Sequence, residues 1–473
     1  MKTFCGVAII LGAIAIVGAN PLLAKVETLS KQRSQVPTKS TVQAPGFRLP
    51  APSGSYAVGT TAYYLVDSSR KETYSAEIYN LQTQKLATTP RATDSRELMV
   101  FIWYPAKSQP KAKTIPYIYN LQTQKLATTP RATDSRELMV FIWYPAKSQP
   151  KAKTIPYIDE GFALATAESM GANFGVSPEQ FVKLVTQTIQ TNAIPKAELA
   201  NKLKRYPVVI FSPGFGATPK LYTIQLEQLA SYGYVVVAVN PTYEVPVLFP
   251  DGQVITQSSV FDFSSANKQT EQRTFNQAVA IRAKDIVFVL NELNRLNIKD
   301  PQRLFTERLD LSRVGIFGHS LGGDTAIEAM WRDRRLKAGI NIDGGSYGKL
   351  LSSGNKDSLN RPFLGISHDG ADDALRLFYQ RQKNNAYRLT VKGSKHTTFT
   401  DFGLILPAFL AHSTTQAQSQ IQQAIGSIDP QRAAKIASAY TLAFFDQYLK
   451  NKSKPLLRRA SPEYPEVLIE SRK

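Results

Sequence analysis

One short stretch limits what this chain can fold into more than any other. Gly318-His319-Ser320-Leu321-Gly322-Gly323 follows the apolar run Arg313–Phe317 and opens the helical pattern Leu321–Arg332. A serine between glycines at a strand-to-helix junction needs a very tight turn, because a Cβ at the flanking positions would clash. Such a turn lifts the hydroxyl out of the sheet. It also sets a helix N-terminus, with its partial positive charge, behind any anion that develops there.

The surroundings supply the sheet this turn requires. Apolar runs at Tyr206–Phe211, Tyr234–Val239, Arg313–Phe317, Ala338–Ile342 and Pro362–Ile366 read as short buried strands. Helical stretches at Leu221–Ser231, Asn276–Leu296, Leu321–Arg332 and Asp372–Gln382 separate them. This alternation predicts an α/β core over residues 206–455, a mostly parallel central sheet with helices on both faces. Chemistry in such sheets sits beyond the carboxyl ends of the strands. Residues 56–205 add N-terminal strands and a Pro-punctuated helical insert at 158–200. A long loop at 244–275 follows Asn240-Pro241, and both segments are placed to act as a lid. Residues 25–55 read as a linker and 456–473 as a C-terminal tail.

A serine hydroxyl is a poor nucleophile without a base. Among the four histidines, His396 follows the strand Tyr387–Val391 and precedes an apolar helix, where the chain order Ser, Asp, His requires its base. His319 lies inside the turn with its ring directed away from the Ser320 hydroxyl, and His368 and His412 read as ordinary surface or core histidines. Two acids suit the role of orienting His396: Asp343, 23 residues after Ser320, and Asp369, 49 residues after it. The pattern does not choose between them. Asp372 and Asp373 read as helix N-terminal acids. The oxyanion donors expected are the Leu321 N–H and, from the loop Ser212-Pro213-Gly214-Phe215-Gly216, the Phe215 N–H.

The chain begins MKTFCGVAIILGAIAIVGANPLLAK, a basic start at Lys2, an apolar run and small residues with cleavage points after Ala19 or Ala24. We read residues 1–24 as an export signal and expect a periplasmic or secreted protein. Cys5, the single cysteine, lies within it, which excludes disulfides, thiolate metal sites and a Cys nucleophile from the mature protein. The formal net charge of +20 favours peripheral contact with anionic membrane surfaces. Its charges are scattered without interleaved aromatics, so no nucleic-acid partner is expected.

Residues 78–117 and 118–157 are the same 40 residues, letter for letter. Two undrifted copies point to recent duplication or misassembly rather than a repeat fold. Each contains one strong strand, Glu97–Tyr104 or Glu137–Tyr144, and both compete for one place beside the strand Tyr56–Val66. One copy is expected to pair and the other to bulge out or form an extra edge strand.

The segments RELMVFIWYP, RYPVVIFSPGFGA, LASYGYVVVAVN, RVGIFGHSLGGDTA, INIDGG and VKGSKHTTFTDF together resemble the platelet-activating-factor acetylhydrolase family, from about Tyr56 to Phe402. The resemblance implies the α/β-hydrolase fold. It implies Asp343 as the acid, and hydrolysis of short or oxidised acyl chains of phospholipids, a small-molecule ester substrate, without metal or other cofactor. Ser212-Pro213 departs from the Ser-His of animal members. Two other readings share the core pattern: a cutinase-like, polyester-type or dienelactone-hydrolase-like carboxylesterase, and a non-catalytic binding protein on a hydrolase scaffold.

Overall fold

The computed structural model describes residues 46–80, 85–88, 135–300, 303–345, 358–371, 374–383 and 385–472. Residues 1–45, with Cys5 and the expected export signal, lie outside them, as do the first copy's strand Glu97–Tyr104 and the acids Asp372 and Asp373. The strands are β1 (Ala57–Lys71), β2 (Glu77–Asn80), β3 (Lys85–Thr88), β4 (Ser135–Ala146), β5 (Ile194–Pro195), β6 (Tyr206–Ser212) and β7 (Val235–Val239). They continue with β8 (Val247–Leu248), β9 (Gln253–Ile255), β10 (Leu309–His319), β11 (Leu336–Ile342), β12 (Phe363–His368), β13 (Ala386–Val391) and β14 (Val467–Arg472). The helices are α1 (Glu160–Phe174), α2 (Pro178–Lys183), α3 (Thr223–Ser231), α4 (Lys268–Ile298), α5 (Leu321–Arg332), α6 (Ala374–Arg381), α7 (Phe402–Phe409), α8 (Thr415–Ile425) and α9 (Pro430–Leu449).

Ten strands form one sheet in the order β14-β13-β12-β11-β10-β6-β7-β4-β1-β5. The stretch from β7 to β13 is parallel, and β4 and β14 join its two ends antiparallel. Successive residues of a strand face opposite sides, so strands covered on both faces read as continuous apolar runs. In β6, Val209 and Phe211 enter one core with Leu226 of α3 and Tyr440 and Phe444 of α9. Val208 and Ile210 enter the other, with Ile286 and Val289 of α4, Ile327 of α5 and Phe378 of α6. The α/β-hydrolase architecture follows: helices on both faces, with the ends of β6, β10, β11 and β12 left to carry chemistry.

The single place beside β1 is taken by the second copy. Leu138 pairs with Leu65 and Tyr144 with Gly59, while the other edge of β4 pairs with β7. Arg136, fully buried at the start of β4, donates through Nη2 to Asp285 of α4 at 2.6 Å.

Several expectations need correction. The insert at 158–200 is helical only as far as residue 188, where α2 runs on into a widened turn. The chain then returns to the sheet as β5, pairing Ile194 with Gly59. Phe174 of α1 stacks on Phe409 of α7 at 4.1 Å between centroids, so this insert is packed down. Residues 244–275 are not an open loop either. They contain β8 and β9, which extend a second sheet in the order β3-β2-β9-β8, and the first turns of α4. The supposed tail 456–473 ends in β14, paired along its length with β13. Within the supposed linker, the Leu49 N–H donates to the Gln190 carbonyl at 3.0 Å. No helix among the described residues is long and apolar enough to cross a membrane.

Candidate active site

β10 ends at His319 and α5 begins at Leu321, leaving Ser320 alone to make the turn, with φ 54° and ψ −126°. For a residue with a Cβ this conformation costs about 1–3 kcal/mol and persists only when its surroundings enforce it. Here the enforcement is visible. The Ser320 N–H donates to the Ile342 carbonyl at 2.8 Å, and the Ser320 carbonyl accepts from the Gly323 and Asp324 N–H groups. A Cβ on Gly318 would lie 2.1 Å from the Gly322 carbonyl oxygen, and one on Gly322 would lie 2.0 Å from that of Ser212. A Cβ on Gly323 would meet the Asn341 side-chain oxygen at 2.2 Å. All three glycines are sterically required. The Ser320 hydroxyl makes no hydrogen bond among the described residues.

His396 starts a short 3-10 turn, His396–Phe399, beyond β13. Its Nδ1 lies 2.6 Å from Oδ2 of Asp343, at the end of β11. A carboxylate can only accept, so His396 donates to it from Nδ1, and its Nε2 is left without a partner among the described residues. Asp343 also holds His368, whose backbone N–H reaches Oδ1 at 2.8 Å and whose Nδ1 lies 2.7 Å from Oδ2. Burial alone would raise the Asp343 carboxyl, but the hydrogen bonds and charge of His368 and His396 outweigh it and hold it far below the usual range. The other candidate acid, Asp369, instead accepts the Gly393 N–H at 2.9 Å on an exposed turn. His412 lies exposed beyond α7.

The loop after β6 runs beside the serine: a Cβ on Gly214 would lie 3.5 Å from the Ser320 Cβ. Arg282, buried on α4, donates to the Pro213 carbonyl at 2.6 Å while its fork is paired with the buried Glu244 through bonds of 2.7 and 2.6 Å. The Gly214 N–H is taken by the Tyr222 hydroxyl. The N–H groups of Phe215 and Leu321 have no hydrogen-bond partner among the described residues. The Phe215 ring packs against Phe275 at 4.8 Å and Phe261 at 5.3 Å, with Phe263 at 6.3 Å.

The structure thus joins His396 to Asp343, sets Ser320, with Leu321 after it, beside the loop of Gly214 and Phe215, and leaves Asp369 and His412 out of these contacts. It adds three features that sequence reasoning missed. His368, expected to be ordinary, shares the acid. Arg282 and Glu244 hold the loop; the available signal was an arginine on the buried stripe Phe275, Ala278, Val279, Ile286 of a helix. His319 is buried and joined to Tyr222 and to the His396 carbonyl. His319, Asp343 and His396 also bring possible ligand atoms within 4.8 Å of one another. A cation there would have to displace the Asp343–His396 hydrogen bond.

The model of the family described as platelet-activating factor acetylhydrolase, isoform II, matches residues 127–455, which include every site residue named above. A probable 1-alkyl-2-acetylglycerophosphocholine esterase of Arthroderma benhamiae is 29% identical over 274 residues, 56% of this chain and 66% of that protein. The platelet-activating factor acetylhydrolase of Cavia porcellus is 27% identical over 266 residues, 52% of this chain and 58% of that one. The match therefore spans less than two thirds of either relative. A ferulic acid esterase from Streptomyces cinnamoneus superposes with a TM-score of 0.63 at 26% identity, covering 90% of this chain and 99% of that one.

Proposed function

The chain belongs to the platelet-activating factor acetylhydrolase isoform II family, and from that premise we propose that it is an exported serine hydrolase of carboxylic esters acting on short or oxidised acyl chains of phospholipids. The observation that carries the reading is the 2.6 Å contact of His396 Nδ1 with Asp343, at the mouth of a sheet whose serine is held at φ 54°. With Nδ1 committed, Nε2 of His396 is the base. It takes the Ser320 proton as Oγ attacks the ester carbonyl, and the buried Asp343 carboxylate stabilises the imidazolium. The negative oxygen of the tetrahedral intermediate sits between the Phe215 and Leu321 N–H groups, with the N-terminus of α5 behind it. Collapse expels the alcohol or lysolipid, which takes its proton from His396. Water then attacks the acyl-Ser320 ester with His396 again as base, releasing the acid and restoring the hydroxyl.

The phospholipid assignment draws on the names of the sequence relatives. The ferulic acid esterase likeness and the four phenylalanines around the loop favour a second reading, esters of aromatic or bulkier acids. A panel of p-nitrophenyl esters from acetate to palmitate, a 2-acetyl ether phospholipid, methyl ferulate and a polyester film separates them. Cleavage of the phospholipid and the shortest esters, falling steeply with chain length, is expected. Rapid cleavage of ferulate or polyester with the phospholipid untouched would keep the hydrolase and discard the lipid substrate. Wild-type protein that is folded yet neither labels with a fluorophosphonate nor cleaves any ester would leave a binding protein. Export is tested by fractionation of cells carrying the full chain and one lacking residues 1–24.

A further inference from the structure

We infer that Tyr222 and His319 are positioning residues that hold the oxyanion loop and the catalytic base in register through one directed chain of hydrogen bonds; the inference rests on Ser320 being the nucleophile. The chain has three links. The Gly214 N–H lies 3.1 Å from the Tyr222 hydroxyl oxygen, that oxygen lies 2.8 Å from His319 Nδ1, and His319 Nε2 lies 3.0 Å from the backbone carbonyl of His396. Tyr222 and His319 are each 1% exposed.

The proton positions follow from the partners. A carbonyl only accepts, so His319 carries its proton on Nε2. A neutral imidazole has one N–H, so Nδ1 is a bare acceptor and the Tyr222 hydroxyl must donate to it. The Tyr222 oxygen then accepts from Gly214. Every donor and acceptor in the chain is used once, and all point one way. Burial, helped by the nearby His396, pushes the His319 ring down to about 3, which favours the neutral ring near neutral pH. A charged ring would present a second N–H to the Tyr222 oxygen and leave the tyrosine proton buried without an acceptor.

The chain joins the three segments that must meet at the reacting carbon. Gly214 precedes the proposed donor Phe215, His319 precedes the nucleophile, and the final acceptor is the backbone of the base itself. It also consumes the Gly214 N–H, so that group is not the donor this loop offers an oxyanion. A histidine merely filling the core would need neither the carbonyl of the base nor a tyrosine pinned to the oxyanion loop.

Tyr222→Phe removes the one oxygen and keeps the ring on Phe211, 4.8 Å away between centroids. The assay combines the end point and rate of fluorophosphonate labelling with kcat and KM for p-nitrophenyl acetate, expressed per labelled site. We expect complete labelling at the end point, with the labelling rate and kcat both reduced about ten- to hundredfold and KM within about twofold, since small displacements of donors act on the transition state. His319→Gln, whose amide can still donate to the His396 carbonyl, should retain more kcat per site than His319→Leu. Wild-type kcat per site in Tyr222→Phe, or equal losses in the two His319 variants, would overturn the inference while leaving Ser320 as nucleophile. Should Tyr222→Phe not fold, the ratio between the His319 variants decides alone. A folded wild type that neither labels nor hydrolyses would overturn the nucleophile itself.

Discussion

Exchanging Asp343 for Asn tests the site at its most constrained point, because the three N–H groups around the carboxylate dictate how an amide must sit. The His368 backbone N–H, 2.8 Å from Oδ1, cannot rotate away and can only donate, so it requires an acceptor oxygen there. The amide NH₂ therefore occupies the Oδ2 position, 2.6 Å from His396 Nδ1. Facing a donor, His396 must present a lone pair at Nδ1 and carry its proton on Nε2, where it cannot accept the Ser320 proton. The wrong tautomer, together with the lost carboxylate charge, should lower kcat by roughly 10⁴, as the equivalent exchange does in the chymotrypsin-type triad. That corresponds to about 5 kcal/mol of transition-state stabilisation. Asp369→Asn keeps an oxygen for the Gly393 N–H and should leave kcat within about twofold. The assay is p-nitrophenyl acetate hydrolysis normalised to fluorophosphonate-reactive sites. Asp343→Asn retaining more than about a tenth of wild-type kcat, or Asp369→Asn losing more than Asp343→Asn, would refute the tautomer argument. Stability gives an independent check. A carboxyl held below its unfolded value stabilises the fold above about pH 4 and loses that contribution as pH falls. The Tm deficit of Asp343→Asn should therefore be largest near neutrality and shrink in acid.

Gly322→Ala places a methyl 2.0 Å from the Ser212 carbonyl oxygen, which belongs to a central strand and cannot yield. A loss of about 3 kcal/mol or more, about 3–4 °C in Tm for a chain of this length, is expected by differential scanning fluorimetry. Arg282→Met leaves Glu244 buried without its partner, which should cost about 3–5 kcal/mol in urea unfolding, and Glu244→Gln added to it should recover part of that. Burial pushes Asp401 up to about 8 and Glu227 up to about 7, so the fold prefers both protonated. Their contribution is full below about pH 4 and lost as pH rises through 7 to 8, so Tm should fall between about pH 4 and pH 8, level off above that, and fall less in Asp401→Asn. Deleting residues 95–134, which removes one repeat's length, should leave kcat unchanged and Tm equal or higher.

What could be read from the sequence follows how each part is stabilised. The central strands are legible because burial on both faces makes their apolar runs continuous, and the turn at Ser320 because its sterics demand glycine at set places. β14 is not legible: Val-Leu-Ile-Glu-Ser-Arg is short, has one neighbour and leaves Leu468 exposed, so its strand character comes from pairing with β13. α4 starts at Lys268 rather than near Asn276 because its first turns are solvated and mark themselves only by the cap, where Asn267 accepts the Thr270 N–H at 2.9 Å. Tyr222, Arg282, Glu244 and His368 act through partners 8 to 97 residues away, a relation that periodicity does not carry.

The repeat is the one place where pattern reasoning has no answer in principle, since identical residues carry identical periodicity. The described structure uses its parts without overlap. β2 and β3 draw on the head of the first copy, residues 78–88, and β4 with the buried Ile155 and Tyr157 draws on the tail of the second, residues 135–157. In the frame of one copy these are positions 1–11 and 18–40, so together they supply a single copy's worth of contacts. Deleting 95–134 joins Asp94 to Ser135 and restores one uninterrupted copy, with every described pairing made by its own residues. The chain between β3 and β4 shortens from 46 residues to six, and chain-closure entropy then favours the fold by up to about 2 kcal/mol. The additional 40 residues thus add no described partner to the sheet and no group to the site, which is why their removal should show in stability before it shows in catalysis.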